Sequence, residues 1–278
     1  MNSFLKNTLI ILFIFSFLSC KQKEETEKVE LQERKKVEMI TNFGTMVFEL
    51  YNETPSHRDN FIKLINDKAY DSLLFHRVIE NFMIQGGDPD SRNAPSGTSL
   101  GEGDLDYTVK AEFHPDLFHR KGALATARVE SLDRASSAIQ FFIVQGEVYN
   151  DSIIDNYENR INKMLARHYT INDSLYQPLW FTLNKATDKE NTRLFIQIND
   201  SINTIAKSYT NFERYTIPKA HREVYKTIGG KPHLDQNYVV FGQVIEGLEI
   251  VDSIAATKTN NRDRPIADVI IQSVRVKN

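Results

Sequence analysis

Between Phe75 and Asp88 the chain reads FHRVIENFMIQGGD, and no other stretch limits its fold and chemistry so strongly. Two strand-like runs, Leu73–Ile79 and Asn81–Gln85, are separated here by one residue, Glu80. Gly86-Gly87 then lets the backbone turn tightly after the second run, because glycine reaches conformations closed to other residues. Within nine residues stand a cation, Arg77, an apolar pair, Phe82 and Met83, and a neutral amide, Gln85. The stretch holds no obvious nucleophile, metal cluster or phosphate loop. That inventory is ill suited to bond breaking. It suits a reaction in which only the shape and charge distribution of a peptide change.

The rest of the chain is organised around short strands. Val37–Thr41 and Thr45–Tyr51 flank Asn42-Phe43-Gly44, with Met46, Phe48 and Leu50 at period two, which predicts a hairpin. Thr54-Pro55 offers an N-cap and a proline at the first helical position, and Phe61, Leu64 and Ile65 follow at helical spacing, so a helix is expected over about 55–67. Further strand-like runs occupy Ala123–Ala127, Gln140–Val144, Tyr238–Val244 and Val269–Val276. Glu246–Ala256, carrying Leu248, Ile250, Val251 and Ile254, reads as a second short helix. Many short strands with only two helices among them predict a mainly β fold, a closed antiparallel barrel.

The 75–88 stretch matches the signature F-H-R-x-I-x-x-F-M-x-Q-G-G-D at every fixed position, so the chain resembles a cyclophilin-type peptidyl-prolyl cis/trans isomerase. The resemblance covers about 37–146 and 230–278 and implies an eight-stranded antiparallel barrel with a helix capping each open end. The domain expected over 37–278 is interrupted where most relatives have a short loop, by 83 residues, 147–229. Ile153, Ile154, Tyr157, Ile161, Met164 and Leu165 share one helical face there, as do Leu194, Phe195, Ile198, Ile202 and Ile205. Pro218 can open a third helix with Val224, Tyr225 and Ile228. A structureless loop of that length inside a domain is unusual, so a helical insertion is expected. Its apolar stripes can pack on themselves or on the barrel wall; alternatively the insertion borders the substrate groove and selects clients without serving catalysis.

The activity implied by the resemblance makes sense of the residues. Rotation about an X–Pro bond disrupts amide resonance, and no proton need move to a base. An apolar pocket for the proline ring, donors gripping one side of the bond and a cation favouring the twisted amide are sufficient. Arg77 is the candidate cation, since its fork of donors can hold the proline carbonyl and point at the amide nitrogen; an arginine in a barrel wall can also simply pair with a carboxylate. With Arg77, the resemblance makes Gln85 and Phe82 catalytic, Gln85 by orienting Arg77 or bonding the substrate backbone. It assigns substrate binding to Met83, Ala127, Arg128, Gln140, Phe142, His233, Leu234 and Tyr238. Strand alternation sends Phe141 and Phe142 to opposite faces, so one can face the groove and the other the interior.

Several positions depart from the family pattern. Arg128 follows Ala127 where the family has Asn, which keeps main-chain contacts and changes the side chain. His233 replaces a frequent Trp and Tyr238 a His, so cyclosporin binding is possible but weakened. Ala138-Ile139 replaces Gly-Ser, and Ile139 either narrows the groove or packs beneath the insertion. Proline-containing polypeptides are the expected partners. A net charge of −3 gives no electrostatic case for nucleic acid, and no cofactor is implied. His114 and His119 flank Pro115 without a third metal ligand at suitable spacing, and the resemblance makes His119 a structural histidine, so no metal is expected. Gly101-Glu102-Gly103 lacks a nucleotide-binding context. Asp88 and Glu112 could suggest an acid/base pair for which the isomerisation has no use.

At the N-terminus, Lys6 precedes a run from Leu9 to Leu18 that is apolar but for Ser16 and ends at Ser19-Cys20. It is too short to span a bilayer comfortably and fits a signal peptide over 1–19. Cys20, the only cysteine, excludes an intramolecular disulfide. Ser19-Cys20 resembles a bacterial lipobox, although Phe17 stands where Leu is usual; the alternative is an incidental thiol in an uncleaved anchor or an ordinary signal peptide. The resemblance implies a lipid anchor at Cys20 and an exported, membrane-anchored protein on the periplasmic face or the surface of a Gram-negative cell. Lys21-Gln22-Lys23-Glu24-Glu25 resembles the export tag of Bacteroidetes surface lipoproteins, or is a solvated linker. Residues 20–36 alternate charges with few apolar side chains and read as a flexible tether. Two rival functions are a non-catalytic proline-peptide chaperone or holdase, and a barrel enclosing a small apolar ligand.

Overall fold

The computed structural model describes residues 33–277; the expected signal peptide, the lipidation site at Cys20 and the charged stretch as far as Gln32 lie outside the described residues. The strands are β1 (Lys36–Thr41), β2 (Gly44–Leu50), β3 (Phe75–Ile79), β4 (Met83–Gly86), β5 (Thr108–Val109), β6 (Ala123–Thr126), β7 (Ser136–Ser137), β8 (Phe141–Val144), β9 (Val240–Glu246) and β10 (Ile271–Lys277). Eight of them form one antiparallel sheet in the order β10-β1-β2-β9-β6-β8-β4-β3, and β5 pairs with β7 in a separate ribbon. The sheet curls so that its two ends meet through Phe75 N–H donating to Val269 O at 2.9 Å and Ile271 N–H to Leu73 O at 2.8 Å. This is the mainly β, eight-stranded antiparallel architecture expected. Arg34, at the end of the charged stretch, already reaches Glu49 at 2.9 Å and Glu53 at 2.6 Å.

Alternation along the strands fills the interior. Met46, Phe48 and Leu50 of β2 are all fully buried, and β1 sets Val37 opposite Phe48 and Met39 opposite Met46. Helix α1 (Pro55–Asn66) adds Phe61, Leu64 and Ile65. Phe61 meets Phe141 edge-on at 5.9 Å and Phe241 at 5.2 Å. This packed interior overturns the reading of a barrel that encloses a small ligand. Pro55 does open α1, but Thr54 makes no capping bond. Instead the Glu112 carboxylate takes Ser56 N–H at 3.1 Å and His57 N–H at 3.0 Å, satisfying the helix start from a distant loop. Glu112 thus has a structural task.

Residues 147–229 hold four helices rather than the three suggested by periodicity: α2 (Asp151–Asn172), α3 (Gln177–Asp188), α4 (Thr192–Ser208) and α5 (Lys219–Thr227). The last helix, α6 (Leu248–Ala255), adds Val251 and Ile254 to the barrel core. Asn150 caps α2 by accepting from Ile153 N–H at 3.0 Å, and Asn191 caps α4 by accepting from Leu194 N–H at 3.1 Å. Ile154, Ile161 and Leu165 of α2 pack with Tyr149, Ile217 and Tyr225. Ile171, Trp180, Leu183 and Ile202 form a second cluster, against which Leu132 of the barrel packs. The expected stripes are only partly used, since Ile153 and Phe195 remain exposed. The insertion leaves and rejoins the barrel at one point, where Glu147 and Gly230 form a backbone bridge.

Candidate active site

The sheet order brings together residues far apart in sequence. Antiparallel pairing sets Arg77 of β3 opposite Gln85 of β4, and Gln85 in turn opposite Phe142 of β8. On that face lies a cleft of about 180 Å³ lined by Arg77, Phe82, Met83, Gln85, Ala127, Arg128, Phe142, Leu234 and Tyr238. Phe142 forms the apolar floor with Met83 and Leu234, and Tyr238 stands edge-on to it at 5.5 Å. Phe141, one residue away, points into the barrel core. Alternation therefore separates the two rings between groove and interior.

Arg77 stands at the end of a chain of amides. Gln140 donates through Nε2 to Gly101 O at 3.0 Å and Gly103 O at 2.6 Å, which turns its Oε1 toward Gln85. Gln85 donates its Nε2 to that oxygen at 2.9 Å, leaving its own Oε1 to face Arg77 Nη1 at 3.4 Å. Two carbonyls thereby fix the orientation of both side-chain amides. On its other side Arg77 Nε lies 3.5 Å from Asp263, with both side chains about two-fifths exposed, so the ion pair is weak. The guanidinium is positioned but not consumed by its partners.

Gln140 and His233 do not line the cleft. Gln140 is buried behind Gln85, and His233 stacks on Phe82 at 5.8 Å while meeting Tyr157 of α2 at 5.2 Å. Ile139 joins the barrel core, where its carbonyl faces Gly87 so closely that a β-carbon there would collide with it. Gly87 also has φ of 95°, which explains the glycine at this turn.

Other residues support the cleft from outside it, through partners that the sequence does not name. His119 Nδ1 lies 2.8 Å from Asp235 Oδ1, whose second oxygen accepts from the Tyr225 hydroxyl of α5 at 2.7 Å. This buried set supports the cleft, because His119 stacks on Phe142 at 5.9 Å. His114 plays no part in it. Gly101 and Gly103 matter as carbonyl acceptors and not as a nucleotide loop. Asp88 accepts from Asp90 N–H at 2.8 Å and from Gly101 N–H, holding that loop in place. Nothing in the local sequence marks these pairings, which join residues up to 116 positions apart.

His76, beside Arg77, is buried with both ring nitrogens unpartnered. Burial pushes its pKa down to about 4, and burial likewise takes His233 down to about 3. Both rings are neutral in the folded protein, while in the unfolded chain they take up protons near pH ~6.5. The unfolded state therefore binds more protons below that value, and stability falls with pH between about 6.5 and 3. Urea unfolding at pH 4.5 is expected to give a lower midpoint than at pH 7, with an order-of-magnitude loss of ~2 kcal/mol from His76 alone. An unchanged midpoint would show that these rings are not held neutral.

The fold and the cleft define a β-barrel protein with an open apolar groove edged by a positioned guanidinium and amides. The family model for "Cyclophilin type peptidyl-prolyl cis-trans isomerase/CLD" matches residues 36–170 and 185–276, and the chain belongs to that family. A Staphylococcus haemolyticus protein named as a candidate peptidyl-prolyl cis-trans isomerase is 30% identical over 250 residues, covering 89% of this chain and 94% of its own length. A similarly named Staphylococcus aureus protein is 30% identical over 243 residues, 87% of this chain and 91% of its own. Among solved structures, a Cryptosporidium parvum cyclophilin-type isomerase superposes with a TM-score of 0.51 at 19% identity, over 88% of this chain and 98% of that one. A second structure of that protein, determined in the presence of the dipeptide Ala-Pro, gives 0.50 at 19% identity, over 87% and 99%.

Proposed function

We propose that this isomerase binds proline-containing segments of exported polypeptides in the Arg77 cleft and rotates their X–Pro bonds from a lipid anchor at Cys20. The convergence of Arg77, Gln85, Phe82, Met83, Phe142 and Leu234 on one cleft carries the reading. The Ala-Pro dipeptide supplied to the Cryptosporidium protein is in keeping with it. Phe82, Met83, Phe142 and Leu234 hold the proline ring, and the half-exposed Arg77 grips the proline carbonyl. As the bond twists, the amide nitrogen loses conjugation and gains electron density, which the guanidinium favours over the planar ground state. Lowering a barrier of ~18–20 kcal/mol enough for about 10⁵-fold acceleration takes roughly 7 kcal/mol. A preorganised cation and an apolar clamp are of the right kind to provide this. Gln85 keeps Arg77 in register, with Gln140 acting through Gln85 and His233 bracing Phe82. Cyclosporin is expected to bind weakly, because His233 stands behind Phe82 instead of at the groove edge.

The test is cis–trans exchange of an Ala-Pro-Phe peptide by NMR, using the full chain purified in detergent. Accelerated exchange is expected; peptide binding without acceleration would favour the holdase alternative. The anchor is tested separately. Cells given radiolabelled palmitate should label the wild-type protein and not C20A, and equal labelling of both would refute lipidation at Cys20.

A further inference from the structure

Beside the proline cleft, sharing Arg128 and Tyr238 with it, lies a second cavity of about 170 Å³, also lined by Met164, His168 and Ile171 of α2. Arg128 and Tyr238 line both cavities, so an extended chain with its proline in the first can place a neighbouring side chain in the second. At the junction, the Arg128 guanidinium makes one hydrogen bond, from Nη1 to its neighbour's carbonyl, Val129 O, at 2.9 Å. Its Nε is buried and unpartnered, and among the described residues no carboxylate lies within ion-pair distance of it. A half-buried guanidinium left in that condition is a strong site for an anion, because a charged hydrogen bond there exchanges little solvation for a directed contact.

The nearby acids are already engaged. Glu130, which also borders the second cavity, receives Arg167 Nε at 2.7 Å and Nη2 at 3.0 Å from α2, a two-pronged pair that neutralises it. Asp133 turns Oδ1 back onto its own loop, accepting from Ser131 Oγ at 2.9 Å and Ala135 N–H at 3.1 Å. Asn172 of α2 donates to Leu132 O at 3.1 Å, so the insertion holds both ends of the Glu130–Leu132 segment. The insertion therefore builds one wall of the second cavity and withholds Glu130 from Arg128.

We infer that the second cavity is a specificity subsite for an acidic side chain, Asp or Glu, standing close to the proline in the client polypeptide, with Arg128 as its partner and Arg167 as the positioning residue that keeps Arg128 available. The inference rests on the Arg77 cleft being the proline site. Arg128 acts on substrate choice and Arg167 acts through Glu130, so the signature is a charge preference, read as a ratio between peptides.

The test uses the full chain and peptides of the form Ala-Ala-Ala-Pro-Phe-Ala-Ala, in which each alanine in turn is replaced by Glu, Gln or Lys. The wild type should prefer Glu over Gln at one or two positions by about five- to tenfold in kcat/KM, and the preference should shrink in high salt. R128A should bring the ratio near one, and R128E should turn it toward Lys. R167A should lower the Glu preference by freeing Glu130 to pair with Arg128, and R167K should restore part of it. Ratios near one at every position in the wild type, or a Glu preference unchanged in R128A, would overturn the inference. If no peptide is turned over, the isomerase reading fails instead, and affinity ratios from NMR titration of the same peptides decide the subsite by the same criteria.

Discussion

Replacing Arg77 by alanine should lower kcat/KM for an Ala-Pro-Phe peptide by about 100-fold, the loss typical of removing one preorganised electrostatic group from a site. The folded structure should survive. Arg77 is about two-fifths exposed, its ion pair with Asp263 is 3.5 Å long, and its contact with Gln85 is 3.4 Å, so unfolding should shift by less than ~1 kcal/mol. R77K separates charge from shape: it keeps the cation but loses the planar fork, and activity should still fall by more than about tenfold. Activity of R77A within threefold of wild type, in a protein that unfolds normally, would remove Arg77 from the mechanism. A loss of activity together with a large drop in unfolding midpoint would mean instead that Arg77 is a structural wall residue.

The largest loss of stability is expected at Asp235. Its carboxylate is buried, with one oxygen on His119 at 2.8 Å and the other on the Tyr225 hydroxyl at 2.7 Å. Burial, reinforced by Asp235, pushes the Tyr225 hydroxyl well above its ordinary pKa, so it remains a donor. D235A leaves a buried hydroxyl and a buried imidazole nitrogen without partners, and its expected cost is about 3–5 kcal/mol. Y225F removes one donor and keeps the ring, so about 1–2 kcal/mol is expected. Urea unfolding checks both. D235A should also depress turnover, since His119 stacks on Phe142 and Leu234 neighbours Asp235. A midpoint for D235A equal to wild type would show that the buried set contributes nothing to stability. The same set means that excising the insertion costs the barrel the Tyr225 hydroxyl, so a short-loop replacement tests stability as well as client choice.

Most of the barrel was legible because its code is local. Met46, Phe48 and Leu50 alternate, and all three face the core. Phe61, Leu64 and Ile65 repeat at helical spacing and pack beneath the same sheet. The separation of Phe141 from Phe142 follows from strand geometry alone. The start of α1 was read only in part: Pro55 marks it, but the cap comes from Glu112, which no local pattern joins to it. The β5–β7 ribbon is two residues a side and too short for any period to show. Helix α3 was missed as a separate element, since its buried residues Trp180, Leu183 and Ala186 follow a short break after α2. Within the cleft, the signature names Arg77, Phe82, Met83 and Gln85 and the wider resemblance names the other residues that line it, whereas their supports, the Gly101 and Gly103 carbonyls, Asp235 and Tyr225, are tertiary partners. His233 moved from groove edge to brace because Tyr157, on the insertion, completes a stack that only the folded chain reveals.

The bridge between Glu147 and Gly230 makes the chain's linear order partly dispensable. The insertion begins and ends within one hydrogen-bonded pair, with Gly230 N–H donating to Glu147 O at 3.1 Å, so the barrel meets it as a single attachment point. Lys36 and Lys277 face each other across β1 and β10. A short linker could therefore join the ends of the barrel, and new termini could open at the exposed turn around Glu190, between α3 and α4. Such a rearranged chain would keep every strand neighbour and the whole proline cleft. Topologically, the barrel with its insertion is a ring opened between Lys277 and Lys36, with an alternative place to open it at the tip of the insertion.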